Sequence, residues 1–202
     1  MAIIYEEAER EDLVYNTIEN LIKENDDLDD LRILVNSGCL YKVLYAENED
    51  DSKPSVVCKG NPAYAVVRVV SNIDRVTKKY HFEIIIDKDY WFNHLSPEEK
   101  ESLIYHELYH VNIARTSKGE YKYNPDESIK IRLRKHDLQY EGFSKVIEKF
   151  GKNSIDFKNY MVFSKSLGRL VNEIAAEFDN WLEVFIWVLT QNLIKLKRLE
   201  IL

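Results

Sequence analysis

In the stretch His106-Glu107-Leu108-Tyr109-His110, two imidazoles stand four residues apart with a carboxylate directly after the first. On an α-helix, positions i and i+4 share one face, with Cβ atoms about 5–6 Å apart. Two neutral imidazoles so placed can hold one zinc ion from a rigid support. The glutamate between them is turned about 100° from the first histidine, so it reaches a water at the metal rather than the metal itself. In a hydrolase of this kind the zinc lowers the pKa of that water toward about 7 and polarises the scissile carbonyl. Glu107 would take the water's proton and pass it to the leaving amine. The rival reading is that these are ordinary polar residues on a half-buried helix.

A catalytic zinc needs a third protein ligand and an open fourth position. Three residues are candidates. His94 stands ahead of the helix start, about 18 Å from His106 at 1.5 Å per residue, and is thereby removed. Glu173, in Val-Asn-Glu-Ile-Ala-Ala-Glu-Phe-Asp, resembles the Asn-Glu-x-x-x-acid helix of thermolysin-like enzymes, with Glu177 as an outer partner. His136 follows a segment that can fold the chain back, and it projects onto the apolar stripe of Tyr140, Phe143, Ile147 and Phe150. His136 is the favoured candidate, and Glu173 the alternative. Asp137 is placed either to orient a ligand imidazole through its second ring nitrogen or to cap a helix.

The elements that must position these groups are legible around them. Ser96, Pro97 and Glu99 form a capping box with proline at the first helical position, so a helix is expected from residue 97. Along it Ile104, Leu108 and Val111 make one packing stripe, and His106 with His110 lie nearly opposite. Downstream, Ile129, Ile131 and Leu133 alternate with Lys130, Arg132 and Arg134 after an Asn-Pro-Asp turn, which predicts a β-hairpin with one wet face. Upstream, Leu13, Val14, Ile18, Leu21 and Ile22 predict an amphipathic helix within residues 5–25. Between 31 and 87 the runs RILV, YKVLY, SVVC, AYAVVRVVS and YHFEIIID predict the strands of a small mixed or antiparallel sheet.

Composition bounds the rest. A chain of 202 residues can bury a core without staples. A metal would therefore serve chemistry more than folding. The formal net charge of −7 argues against a polyanion partner, so no nucleic acid is expected. No signal-like start and no span of about 20 apolar residues is found, which predicts a cytoplasmic protein without a membrane segment. Cys39 and Cys58 form no C-x-x-C pair and read as reduced, packed thiols.

Several of these features occur together in one order: Ile84 to Ile86, Trp91, Leu95 and Ser96, His106 to His110, His136 with Asp137, Phe143, and Phe150 with Gly151. In that order and spacing the stretch from about residue 30 to 152 resembles the phage metallopeptidases, small zincin-like proteins related in plan to the SprT-like group. The resemblance implies a zincin fold, His106, His110 and His136 as zinc ligands, and Glu107 as the catalytic base. It implies a polypeptide substrate without specifying one. Tyr109 departs from the cysteine more usual there. The zinc ribbon and DNA binding of many SprT-like enzymes are not expected, because the cysteines and the positive charge are missing. In such folds the substrate joins a sheet edge beside the cleft, a role that falls to residues 81–87.

The expected architecture is an α+β zincin-like domain over 1–152, its sheet packed on the H-E-x-x-H helix, with a helical extension over 153–202. In the extension Val171, Ala175, Phe178, Leu182, Ile186, Leu189, Leu193 and Leu196 step by three and four. That face packs on the domain, or serves a homodimer or partner protein through 171–196. The expected activity is zinc-dependent peptide hydrolysis. The rivals are a catalytically silent zincin-fold protein, encoded by phage or prophage to grip a host protein, and a protease that cleaves a regulator.

Overall fold

A computed structural model describes residues 2–50, 53–137, 142–165 and 169 of the chain. The chain divides into two units, residues 1–158 and 159–202. The first unit holds a four-stranded mixed sheet in the order β1-β2-β6-β5. Its strands are β1 (Ile3–Glu7), β2 (Tyr41–Asn48), β5 (Ala65–Val69) and β6 (Phe82–Asp87). β2 and β6 run parallel, while β1 and β5 lie antiparallel on the two flanks. A short pair, β3 (Val57–Cys58) with β4 (Asn61–Pro62), adds a second small sheet. β6 reads Phe-Glu-Ile-Ile-Ile-Asp and is buried on both faces. The unbroken Ile84–Ile86 run suits a central strand covered on each side, and the buried Glu83 within it is met by Tyr80 and Arg68.

One face of the sheet, through Tyr41, Val43, Tyr45, Phe82, Ile84, Ile86, Ala65 and Val67, joins the main core with the helices α1 (Leu13–Glu24), α2 (Asp29–Asn36), α4 (Pro97–His110) and α5 (Ser144–Phe150). The opposite face, through Ala46 and Ile85, packs on Val56 with Ala63 beside it. These four helices thus lie on one face, and the class is α+β.

Three local readings are corrected. The run Arg32-Ile33-Leu34-Val35 is helical, inside α2, where a strand was expected. Asp29 and Asp30 favour its N-terminus, and Leu31 and Leu34 are buried three apart. The Arg32 guanidinium donates to the carbonyls of Ile22 and Asn25 at 2.9 and 3.0 Å, covering the end of α1. Gly38 at φ +87 then turns the chain into β2, a conformation that glycine adopts without a Cβ clash. Second, Asn72–Lys78, between the two expected strands AYAVVRVVS and YHFEIIID, is a helix, α3, with the Ser71 hydroxyl accepting from the Asp74 N–H. Third, β1 occupies residues expected to open the first helix, and α1 begins at Leu13.

α4 begins at Pro97 as expected, with both halves of the Ser96–Glu99 capping box made. The expectation of one packed face and one open face does not hold for it. Every residue from Ser102 to Leu108 is buried, because the segment 154–158 covers the face opposite the apolar stripe. The Glu99 carboxylate pairs with Lys158, the Ser102 hydroxyl accepts from the Ile155 N–H, and His106 bonds Asp156. Glu99, Ser102 and His106 form one stripe at i, i+3 and i+7. These contacts carry the first unit past the boundary at 152 read from the sequence. Among the described residues no helix is long and apolar enough to cross a membrane.

Candidate metal centre

α4 runs directly into β7 (Val111–Ile113), which pairs antiparallel with β8 (Ile131–Leu133), Val111 opposite Leu133. The pairing continues one step further, where the Arg134 N–H donates to the His110 carbonyl at 2.6 Å. The hairpin therefore delivers residues 134–136 to the C-terminal end of α4. The chain within it also bridges Arg115 with Tyr121 across a turn at 116–120, and Tyr123 with Ile129 around the Asn-Pro-Asp turn. The alternation of isoleucine with basic residues thus encodes a strand whose main partner directly follows the histidine helix.

His106, His110 and His136 converge, each offering one ring nitrogen, and these nitrogens all lie within 4.8 Å of one another. His136 Nε2 is 3.1 Å from His106 Nε2. His136 reaches this position from irregular backbone after β8, because α5 begins only at Ser144, where a helix from His136 was expected. The turn that starts α5 is capped by Asp137, whose carboxylate accepts from the Ser144 N–H at 3.0 Å and hydroxyl at 2.6 Å. Asp137, directly after the His136 ligand candidate in the chain, thus binds the first residue of α5.

The imidazoles on α4 are oriented through their other nitrogens. His106 Nδ1 donates to Asp156, 2.8 Å from Oδ1 and 3.0 Å from Oδ2. His110 Nδ1 donates to the Arg134 carbonyl at 2.7 Å. With Nδ1 occupied as donor, the lone pair of each neutral ring is on Nε2. Phe143, buried, forms a common floor: its ring centroid is 5.1, 4.8 and 4.8 Å from those of His106, His110 and His136. An apolar floor limits solvent access to the donors. Tyr109 meets Phe143 edge-on with ring centroids 4.9 Å apart, stacks on Tyr105 and carries the Arg134 guanidinium 3.7 Å above its ring.

Glu107 is 4% exposed. Burial pushes its carboxyl above the usual carboxylate range, opposed by the His106 charge and by a hydrogen bond from the Val67 backbone. That donor belongs to β5, the flank of the sheet. In the β5–β6 ladder, Val70 and Asp87 donate to His81 and Tyr64, so the groups of Val66 and Arg68 face β6 and those of Ala65, Val67 and Val69 face outward. Among the described strands none pairs with that outer side. The substrate-edge role expected for residues 81–87 is therefore misplaced, since β6 is central and β5 is the flank.

The two helix imidazoles differ electrostatically. Burial lowers the pKa of His110 to about 3, assisted by the charges of His106 and His136. Burial acts the same way on His106, but the Asp156 hydrogen bond and the charges of Glu107 and Asp156 outweigh it and raise that ring above its usual value.

His94 stays outside the cluster, 3.1 Å from Asp89. Glu173, Glu177 and the face at 171–196 lie outside the described residues. Asp156 was not singled out from the sequence. Its only signal is an acid between Ile155 and Phe157 after Ser154, and this equally describes an ordinary first helical turn.

A family model described as "putative phage metallopeptidase" matches residues 6–175. No curated protein and no solved structure matches the chain.

Proposed function

Because the chain belongs to the phage metallopeptidase family, we propose that it is a zinc-dependent peptidase of zincin type. The observation that carries this reading is the gathering of three imidazole nitrogens within 4.8 Å beside a buried glutamate. The donor set suits the ion. Three neutral imidazoles at about 2.1 Å from a tetrahedral centre would be about 3.4 Å apart, and the His106–His136 pair is already at 3.1 Å. Three nitrogen donors leave one position for solvent and substrate.

When bound, zinc supplies Lewis acidity for the scissile carbonyl and for the attacking water. His106, His110 and His136 bind the ion. Asp156 and the Arg134 carbonyl fix which ring nitrogen faces it. Glu107 accepts the water's proton at its carboxylate and returns it to the leaving amine. The upward shift from burial makes it a stronger base than an exposed glutamate. The Val67 N–H holds that carboxylate in place. The substrate is a polypeptide, which pairs in extended form with the outward backbone groups of β5 other than the Val67 N–H that Glu107 occupies.

Glu107→Gln tests the proposal. It keeps the side-chain volume and the metal ligands but removes the base. Zinc content stays at the wild-type level, and cleavage of a broad peptide library falls by about 10²- to 10⁴-fold. If host-protein binding persists unchanged and neither protein cleaves, the chain is a silent zincin-fold binder. Cleavage confined to one regulatory protein identifies the regulator-cleaving form of the same chemistry.

A further inference from the structure

We infer that Asp156 is a positioning residue of this centre: one carboxylate fixes the His106 ring and pins the backbone at Phe143, aligning the helix-borne histidines with the segment behind His136. The inference rests on the metal reading above and assigns it a residue from outside the histidine motif.

The observations are geometric. Asp156 is fully buried, and a buried carboxylate is costly unless its oxygens are satisfied. Both are. Oδ1 and Oδ2 face His106 Nδ1, and Oδ2 also accepts from the Phe143 N–H at 3.1 Å. The two donors come from different parts of the centre. His106 belongs to α4, while Phe143 begins the turn after the His136 segment and its ring touches all three imidazoles. One side chain thus ties the rigid support of two ligands to the segment that supplies the third.

The support under Asp156 is itself fixed. Ser154, buried, accepts from the Phe157 N–H through its hydroxyl and caps the turn that carries Asp156. Ile155 N–H and Lys158 hold the same turn to Ser102 and Glu99 of α4. His110 needs no such residue, because a backbone carbonyl orients it. His106 depends on a side chain. A carboxylate accepts only, so it selects the Nδ1–H form of the ring and leaves the Nε2 lone pair toward His136.

The test compares wild type, Asp156→Asn and Ser102→Ala. Asparagine keeps the shape but offers one acceptor to two donors. Ser102→Ala loosens the same turn from α4 without touching the imidazole. Two readouts are used: Zn²⁺ affinity by competition with a chromogenic chelator, and the His106 tautomer by ¹⁵N NMR of the metal-free protein. The expected results are an Nδ1–H ring in wild type, an altered His106 signature in Asp156→Asn, and about 10- to 100-fold weaker Zn²⁺ binding in that variant. Ser102→Ala, in which the Glu99–Lys158 pair and the Ser154 cap still hold the turn, keeps the wild-type affinity and tautomer. An Nε2–H ring in the wild-type protein overturns the inference even if the variant fails to fold. So does equal Zn²⁺ affinity in wild type and Asp156→Asn, or a loss in Ser102→Ala as large as in Asp156→Asn. Wild type that takes up no Zn²⁺, yet shows the Nδ1–H ring, refutes the metal reading instead.

Discussion

Replacing His136 by alanine separates a three-histidine site from every alternative. His136 is half-buried and lies in irregular backbone, so its removal leaves the β7–β8 pairing, the Phe143 floor and the His106–Asp156 bond in place. The stability of the metal-free protein should therefore change by no more than about 0.5 kcal/mol. The effect on the metal is much larger. Four-ligand zinc sites bind with about 10–16 kcal/mol at pH 7, or about 2.5–4 kcal/mol per ligand. At about 1.4 kcal/mol per decade, losing one ligand weakens binding by about 10²- to 10³-fold. The assay is chelator competition on metal-free protein, with a thermal melt of the same samples as the folding control. Equal zinc affinity in wild type and His136→Ala, with equal melts, refutes the reasoning and makes Glu173 the next ligand to test. A loss of affinity matched by a collapse of the melt also refutes it, because it gives His136 a folding role.

Two further outcomes follow from the same geometry. Phe143→Ala removes a fully buried ring from beneath three imidazoles and should cost about 3–5 kcal/mol in urea unfolding. A cost under about 1 kcal/mol would mean that the floor carries little of the packing. Asp126, bonded by Ser128 and by the Arg75 guanidinium, has its carboxyl lowered to about 2. A depressed carboxyl stabilises the fold above its ordinary pKa near 3.8, and that contribution is lost as pH falls through about 2. Asp126→Asn should thus melt below wild type at pH 6, with the gap closing near pH 2. A gap independent of pH contradicts the ion-pair account.

The parts of the fold legible in the sequence are those written in local chemistry. The capping box at Ser96 and Glu99 placed the start of α4 because both of its hydrogen bonds lie within four residues. The alternation through Ile129, Ile131 and Leu133 marked a strand, and the strand explains how His136 returns to the helix. Features set by distant partners were hidden. Arg32-Ile33-Leu34-Val35 has strand-like composition, yet its fate depends on Arg32 reaching the end of α1. His136 carried a helical period into a segment that ends at a turn capped by Asp137. The flank of the sheet could not be read from strand composition, since β5 and β6 are both rich in β-branched residues and only pairing order tells them apart. Asp156 has no local mark, because its role exists only once a ring 50 residues earlier is folded against it.

That separation has a bearing on biogenesis. Ribosomes add about 5–20 residues per second, so the 50 residues between His106 and its carboxylate take about 3–10 s to synthesise. During that interval the histidine helix is in existence but its tautomer has no keeper. A centre completed by one of the last residues of its unit lacks that carboxylate while the growing chain is still short of it.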